Sequence, residues 1–251
     1  MAILIASYSR DISYLSWCLK SVEKFATGFT GVTVVGPEDE AKMFKKLTEN
    51  LKTYQRIQDR SKWQLHAQVQ KCMADFYCPN ADFVLHMDSD CIFKESVTPK
   101  DYLARGKPVM VIKEYSRLQG SPWKAVTERA LGFPVAYETM QRHPQVNPIG
   151  IYSDMRKHIE SVHHQLFEDY VLCGSGGFPF SFSEHNCIGA FALSRPEWRD
   201  KYHWIDSAKN PRPKEKVKQF WSLSPIEKPQ GTPHDHDTII PLKICQEVIG
   251  Q

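Results

Sequence analysis

Apolar residues fall into short runs separated by polar loops, and their period changes along the chain. Ala2 to Ala6 is a continuous apolar stretch of strand length, and the polar segment Ser7-Tyr8-Ser9-Arg10-Asp11 follows it. From Ile12 to Phe25 the positions Ile12, Leu15, Leu19, Val22 and Phe25 recur at helical spacing. Gly31 to Gly36 is a β-branched strand bounded by glycines, and Pro37-Glu38-Asp39 opens a helix with an acidic first turn. Lys62 to Tyr77 reads as a helix with Leu65, Val69, Met73 and Phe76 on one stripe. Phe83 to Met87 is again a short apolar run, with the length and composition of a buried strand. Further on, Pro108 to Glu114 reads as a strand, and Trp123 to Leu131 and Tyr152 to Phe167 as helices. A last helix, Thr238 to Ile249, has Asp237 as its natural cap. Strand, loop and helix in alternation predict an α/β fold.

The run Phe83 to Met87 stops at two carboxylates, Asp88 and Asp90, before Cys91-Ile92-Phe93 resumes the apolar character. Residues two apart in an extended chain point the same way. The pair is thus expected to converge at a strand end, where open α/β sheets bind ligands. Two converging carboxylates call for a cation, and hard oxygen donors with open positions suit Mg²⁺ or Mn²⁺. A polar strand-end turn is the plainer reading.

Three other stretches carry chemistry. Between Cys173 and Leu193, Gly174, Gly176 and Gly177 allow backbone to approach a ligand closely. Ser183-Glu184-His185-Asn186 then starts a helix with Ser183 as cap, and Ile188 to Leu193 would bury and stiffen it. A carboxylate on such an element is well placed to act as a general base, though Glu184 also simply suits a helix N-terminus. Residues 209–228 are the most basic part of the chain and read as an exposed linker or as a lid over negative charge, with Lys214, Lys218 and Trp221 facing it. His234 and His236 project together if their segment is extended, and otherwise form a surface loop. Phe133 to Asn147 mixes aromatics with His143 and Pro144 and reads as one wall of a pocket. His158, His163 and His164 read as a solvated helix face, because two of them are adjacent and no H-E-x-x-H spacing occurs.

Composition narrows the classes. The 251 residues suffice for one large domain, and 41% hydrophobic with 24% charged content is that of an ordinary globular chain. A net charge of +3 gives no argument for nucleic acid. Seven cysteines without a CxxC pair predict buried free thiols in a reducing compartment, so a cytoplasmic location is expected. Met1 to Ala6 lacks the basic lead of a signal peptide, and no run reaches the length of a membrane span. The first strand is followed by neither Gly-x-Gly-x-x-Gly nor a P-loop, which disfavours a dinucleotide-binding domain and an ATPase.

Together these features resemble the nucleotide-sugar glycosyltransferases of the GT-A fold, where an apolar strand ends in Asp-x-Asp. The resemblance covers most of the chain in element order and rests on three motifs: the acid pair, the Ser183-Glu184 segment and the histidines near the C-terminus. It implies a single α/β domain with a central mixed sheet flanked by helices. A nucleotide-sugar half (residues 1–93) would precede an acceptor half (residues 94–251). It further implies transfer of a sugar from a nucleoside diphosphate, UDP above all, to a small-molecule or glycan hydroxyl. Asp88 and Asp90 would hold Mn²⁺ or Mg²⁺, with His234 or His236 completing the shell. Tyr8 would stack on the base, Arg10 or Asp11 would touch ribose or phosphate, and Arg60, Gln64 and Lys71 would contact the donor. Glu184 would deprotonate the acceptor in an inverting displacement, beside His185, Asn186, Gly176 and Gly177. Rival readings are a metal-dependent phosphatase of the haloacid dehalogenase type, a nucleotidyltransferase and a non-catalytic sugar-nucleotide binding protein. The phosphatases place their acid pair near the N-terminus with Thr or Val where Ile92 stands here, and the glycine-rich loop of the nucleotidyltransferases is absent.

Overall fold

A computed structural model describes residues 1–55, 62–121, 123–140, 144–173, 181–220 and 245–250. In chain order it opens with β1 (Ala2–Ala6), α1 (Ile12–Phe25), β2 (Val32–Pro37), a short α2 (Ala41–Phe44) and β3 (Leu51–Tyr54). Next come α3 (Trp63–Cys72), α4 (Ala74–Tyr77), β4 (Phe83–His86), β5 (Cys91–Phe93), β6 (Leu103–Ala104) and β7 (Lys107–Glu114). After α5 (Trp123–Leu131) the chain forms β8 (Tyr137–Glu138), β9 (Gln145–Pro148), α6 (Gly150–His163) and α7 (Phe167–Cys173). Finally α8 (Glu184–Ser194), α9 (Pro196–Arg199), β10 (His203–Asp206) and β11 (Val217–Gln219) precede a helical turn at 245–249.

The protein is mixed α/β, with a central mixed sheet flanked by helices. Among the described residues its strand order is β3-β2-β1-β4-β9, parallel except for the antiparallel edge strand β9. β1 is buried on both faces, which explains why its sequence is uninterruptedly apolar. Ala2 and Leu4 enter a core shared with α3, α5, α6 and α8, while Ile3 and Ile5 enter a second core under α1. Ser21 of α1 accepts a hydrogen bond from the Phe93 backbone N–H at 3.1 Å, fixing α1 against β5. A smaller sheet, β10-β7-β6 with β8 on β7, lies outside this path. No helix among the described residues is long and apolar enough to cross a membrane.

Several expected elements differ. The helix expected at Pro37 is a 3-10 turn followed by the single turn α2, and β3, which the pattern did not predict, joins the sheet edge. The long helix to Tyr77 breaks at Met73, so Phe76 leaves the apolar stripe, is 64% exposed and lies beneath the Arg156 guanidinium. The helix expected to reach Phe167 ends where His164 takes a left-handed conformation, φ 54°. His158 and His163 of α6 are not a solvated face. His158 bonds the Leu131 carbonyl and His163 those of Arg129 and Ala130, so both rings cap the C-terminal carbonyls of α5. The seven cysteines are free thiols, all buried except Cys173 at the end of α7.

One close approach sets the position of α8. Gly189 lies so near Thr139 that a Cβ there would stand 2.2 Å from the threonine Oγ1 and 2.4 Å from its Cβ. Thr139 is itself clamped to the first turn of α8. Its N–H donates to Asn186 Oδ1 at 2.9 Å and its hydroxyl to the His185 carbonyl at 3.0 Å. Alanine is the better helix former by about 1 kcal/mol. Gly189→Ala is nevertheless expected to destabilise the fold by about 1–3 kcal/mol, the usual cost of overpacking, in urea unfolding. A gain in stability would show that α8 can move off Thr139.

Candidate functional site

The sheet order places a switch point between β1 and β4: from β1 the chain runs outward to β2 and β3, then returns to β4 on the other side of β1. Loops leaving the carboxyl ends of these two neighbours diverge around a crevice, the usual ligand position in such sheets. The β1 loop is fixed by Ser9, whose N–H and hydroxyl donate to the Glu40 carboxylate at 2.6 and 2.8 Å. The β4 loop is a tight turn rather than the extended segment expected, closed by the Cys91 N–H on the Asp88 carbonyl at 3.1 Å. Ser89 Oγ donates to Asp11 Oδ2 at 3.2 Å and ties the two loops together. Asp11 uses its carboxylate there and makes no side-chain cap bond to α1.

A cavity of about 600 Å³ opens at this point. Tyr8 and Trp63 form part of its wall, stacked on one another with centroids 4.2 Å apart. Helix α3 presents Gln64, Gln68 and Lys71 to it, while Leu65, Val69 and Cys72 enter the core. Gln68 is 5% exposed, and its Oε1 has no hydrogen-bond partner among the described residues. Such a group is costly to bury.

Lys71 joins the two carboxylates of interest. Its Nζ stands 2.7 Å from Asp88 Oδ1 and 2.9 Å from Glu184 Oε1. Burial pushes the ammonium toward neutrality, but the charges of Asp88 and Glu184 and its hydrogen bonds to both outweigh this and hold its pKa above the ordinary value. Beneath lies His86, fully buried, whose Nε2 is 2.6 Å from the Tyr152 hydroxyl. Burial, then the neighbouring His185 and Lys71, hold its pKa well below the ordinary value, so this ring is neutral. Cys18 and Cys91 flank the acid pair, and burial, followed by the charges of Asp90 and Asp88, holds both as thiols.

On α8 the structure separates the expected residues. Glu184 and His185 line the cavity, with His185 Nε2 3.6 Å from Glu184 Oε1. Asn186, expected to contact an acceptor, is turned inward: besides receiving the Thr139 N–H it donates to Ser183 Oγ at 3.0 Å. It braces the turn that carries Glu184.

The expected lid differs most. Part of 209–228 is strand β11, paired antiparallel with β5 directly behind the acid pair. The Phe220 N–H donates to the Asp90 carbonyl at 2.9 Å. This pairing delivers Gln219, a residue the sequence did not single out, to the acid pair. Its Nε2 is 3.3 Å from Asp88 Oδ2 and 3.4 Å from Asp90 Oδ1. Lys218 lines the cavity, whereas Lys214 faces outward in an exposed pair with Glu95 at 2.7 Å. Arg10 is exposed and lies off the cavity wall. Arg60, Gly176, Gly177, Trp221, His234 and His236 lie outside the described residues, as does His143.

Among the described residues no group of three or more His, Cys, Asp and Glu is gathered for a metal ion. The donors at the acid pair nonetheless suit a hard divalent cation, since Asp88 Oδ2 and Asp90 Oδ1 converge on one hydrogen-bonded atom. Trp63, Gln68, Met140, Lys94 and Glu215 also line the cavity and were not anticipated. For Gln64, Gln68 and Lys71 the signal was present as polar residues at i, i+4 and i+7. No protein-family model and no curated protein matches this chain.

Removing Lys71 would leave two carboxylates facing each other. Lys71→Met is expected to lower unfolding stability by about 3 kcal/mol, the low end for breaking a buried pair because Asp88 keeps partial solvent access. Adding Glu184→Gln should recover part of that loss, measured by urea unfolding of the three variants. Equal stability of Lys71→Met and wild type would mean the carboxylates are balanced by something else.

Proposed function

We propose that this protein is a metal-dependent glycosyltransferase that moves a sugar from a nucleoside diphosphate, UDP above all, to an acceptor hydroxyl with inversion. The observation that carries this reading is the placement of the acid pair and Glu184 around one cavity at the switch point, joined through Lys71. The balance of charge supports it. Among the described lining residues Asp11, Asp88, Asp90, Glu184 and Glu215 face only Lys71, Lys94 and Lys218. An anionic diphosphate enters such a site favourably only with a cation. Mn²⁺ or Mg²⁺ held by Asp88 and Asp90 would offset the charge that develops on the departing diphosphate.

In this reading the stacked Tyr8 and Trp63 offer an aromatic wall to the base, and Asp11 and Gln64 offer polar partners to ribose. Glu184 accepts the proton of the acceptor hydroxyl as that oxygen bonds to the anomeric carbon. On the opposite face the bond from that carbon to the diphosphate oxygen breaks, and the electron pair leaves with the diphosphate. Lys71 and the clamp from Thr139 fix the Glu184 carboxylate in place, so little reorganisation accompanies the proton transfer. Among the described residues no specific contact favours the phosphatase or nucleotidyltransferase reading.

Calorimetry with UDP, GDP and ADP and their sugar derivatives, with and without Mn²⁺, tests the reading. Metal-dependent binding that disappears in Asp90→Ala is expected. Absence of binding to every nucleotide would overturn it, and release of inorganic phosphate from phosphomonoesters would put the phosphatase ahead. Once a donor is identified, Glu184→Gln should lower kcat about 10²–10⁴-fold, the range for a lost general base, with donor affinity nearly unchanged. An unaltered kcat would remove Glu184 from the base role.

A further inference from the structure

We infer that the side-chain amide oxygen of Gln219 is a third protein ligand of the cation held by Asp88 and Asp90. The inference rests on the cation reading of the acid pair and adds to it a donor that is neither acidic nor histidine.

The position of Gln219 is set by backbone rather than by its own side chain. Strand β11 pairs with β5 through Val217 opposite Phe93, Lys218 opposite Ile92 and Gln219 opposite Cys91. Two further bonds extend the ladder past both ends: Lys94 N–H to the Lys216 carbonyl and Phe220 N–H to the Asp90 carbonyl, each 2.9 Å. Gln219 is therefore held one residue from the acid pair across a short, well-bonded ribbon. Phe220 also packs with Ile92, Cys245 and Ile249, which holds β11 in place from behind.

From this position the carboxamide reaches the point where the carboxylates converge. One atom, Nε2, is within 3.3 Å of Asp88 Oδ2 and 3.4 Å of Asp90 Oδ1. The other Asp88 oxygen, Oδ1, is taken by Lys71, which leaves Oδ2 directed at the same point. A primary amide carries a donor and an acceptor of nearly equal size on one terminal torsion. Facing the two carboxylates it presents N–H. With a cation between them, a half-turn presents the carbonyl oxygen, a hard donor of the kind that suits Mg²⁺ and Mn²⁺. The half-turn needs no movement of the backbone.

The sign of one substitution separates this role from the alternative. If Gln219 ligates the cation, removing its amide weakens metal binding. If it is only an N–H donor competing with the cation, removing it leaves binding unchanged or tightens it. The test is Mn²⁺ alone titrated into the full chain, read by calorimetry and by the electron paramagnetic resonance signal of free Mn²⁺. Gln219→Ala is expected to weaken binding at least about 10-fold, the loss that even an outer-shell partner typically produces. Gln219→Glu, which keeps an oxygen at the same reach and adds charge, should bind more tightly than wild type. It decides the matter if the alanine variant fails to fold, weaker binding then counting against the assignment. Unchanged or tighter binding in Gln219→Ala, with binding abolished in Asp90→Ala, overturns the Gln219 assignment and leaves the cation reading standing. No Mn²⁺ binding by the wild-type chain overturns both.

Discussion

Two carboxylates brought together at the end of a strand repel one another, and the site is arranged around relieving that repulsion. Asp88 and Asp90 are placed side by side by a turn whose backbone bond closes on Cys91. Lys71 meets Asp88 from α3, Gln219 meets both from β11, and Ser89 between them is tied to Asp11 across the crevice. Each contact comes from a different part of the chain. The acid pair therefore acts as the point at which α3 and the late strand β11 are drawn to one place, α3 supplying a cation and β11 a donor, while the first loop is tied in through Asp11 and Ser89 and α8 through Lys71.

Lys71 is the member with two attachments. By bridging Asp88 and Glu184 it links the half of the cavity that would hold a diphosphate to the half that would hold an acceptor. The carboxylate on α8 is fixed from its other side by packing, through Gly189, Thr139 and Asn186. Electrostatics in the cavity and steric fit behind it thus act on the same turn. A helix that had room to shift would let Lys71 draw Glu184 toward Asp88 and close the space between them.

Much of the fold was legible because period and burial agree in it. β1 and β2 are apolar on both faces and α1 has one apolar stripe, so each has a single sensible location. Asp88, Asp90 and Glu184 stood out because each borders an apolar run, and the fold brings all three to one cavity. Other features depend on tertiary contacts that leave no local mark. β11 carries a single buried apolar residue, Val217, within a lysine-rich stretch, and becomes a strand only because β5 offers an edge. Gln219 is an ordinary polar residue until that pairing aims it. The inward turn of Asn186 and the histidine contacts to α5 likewise depend on which element packs opposite.

The distribution of thiols has a practical consequence. Burial raises the pKa of Cys18, Cys72, Cys78, Cys91, Cys187 and Cys245 and shields all six from solvent, while Cys173 stands exposed at the end of α7. Thiolate character and access together govern alkylation. The native chain therefore behaves toward a maleimide as a single-cysteine protein, and a fluorophore or spin label can be attached at one known position without removing any residue.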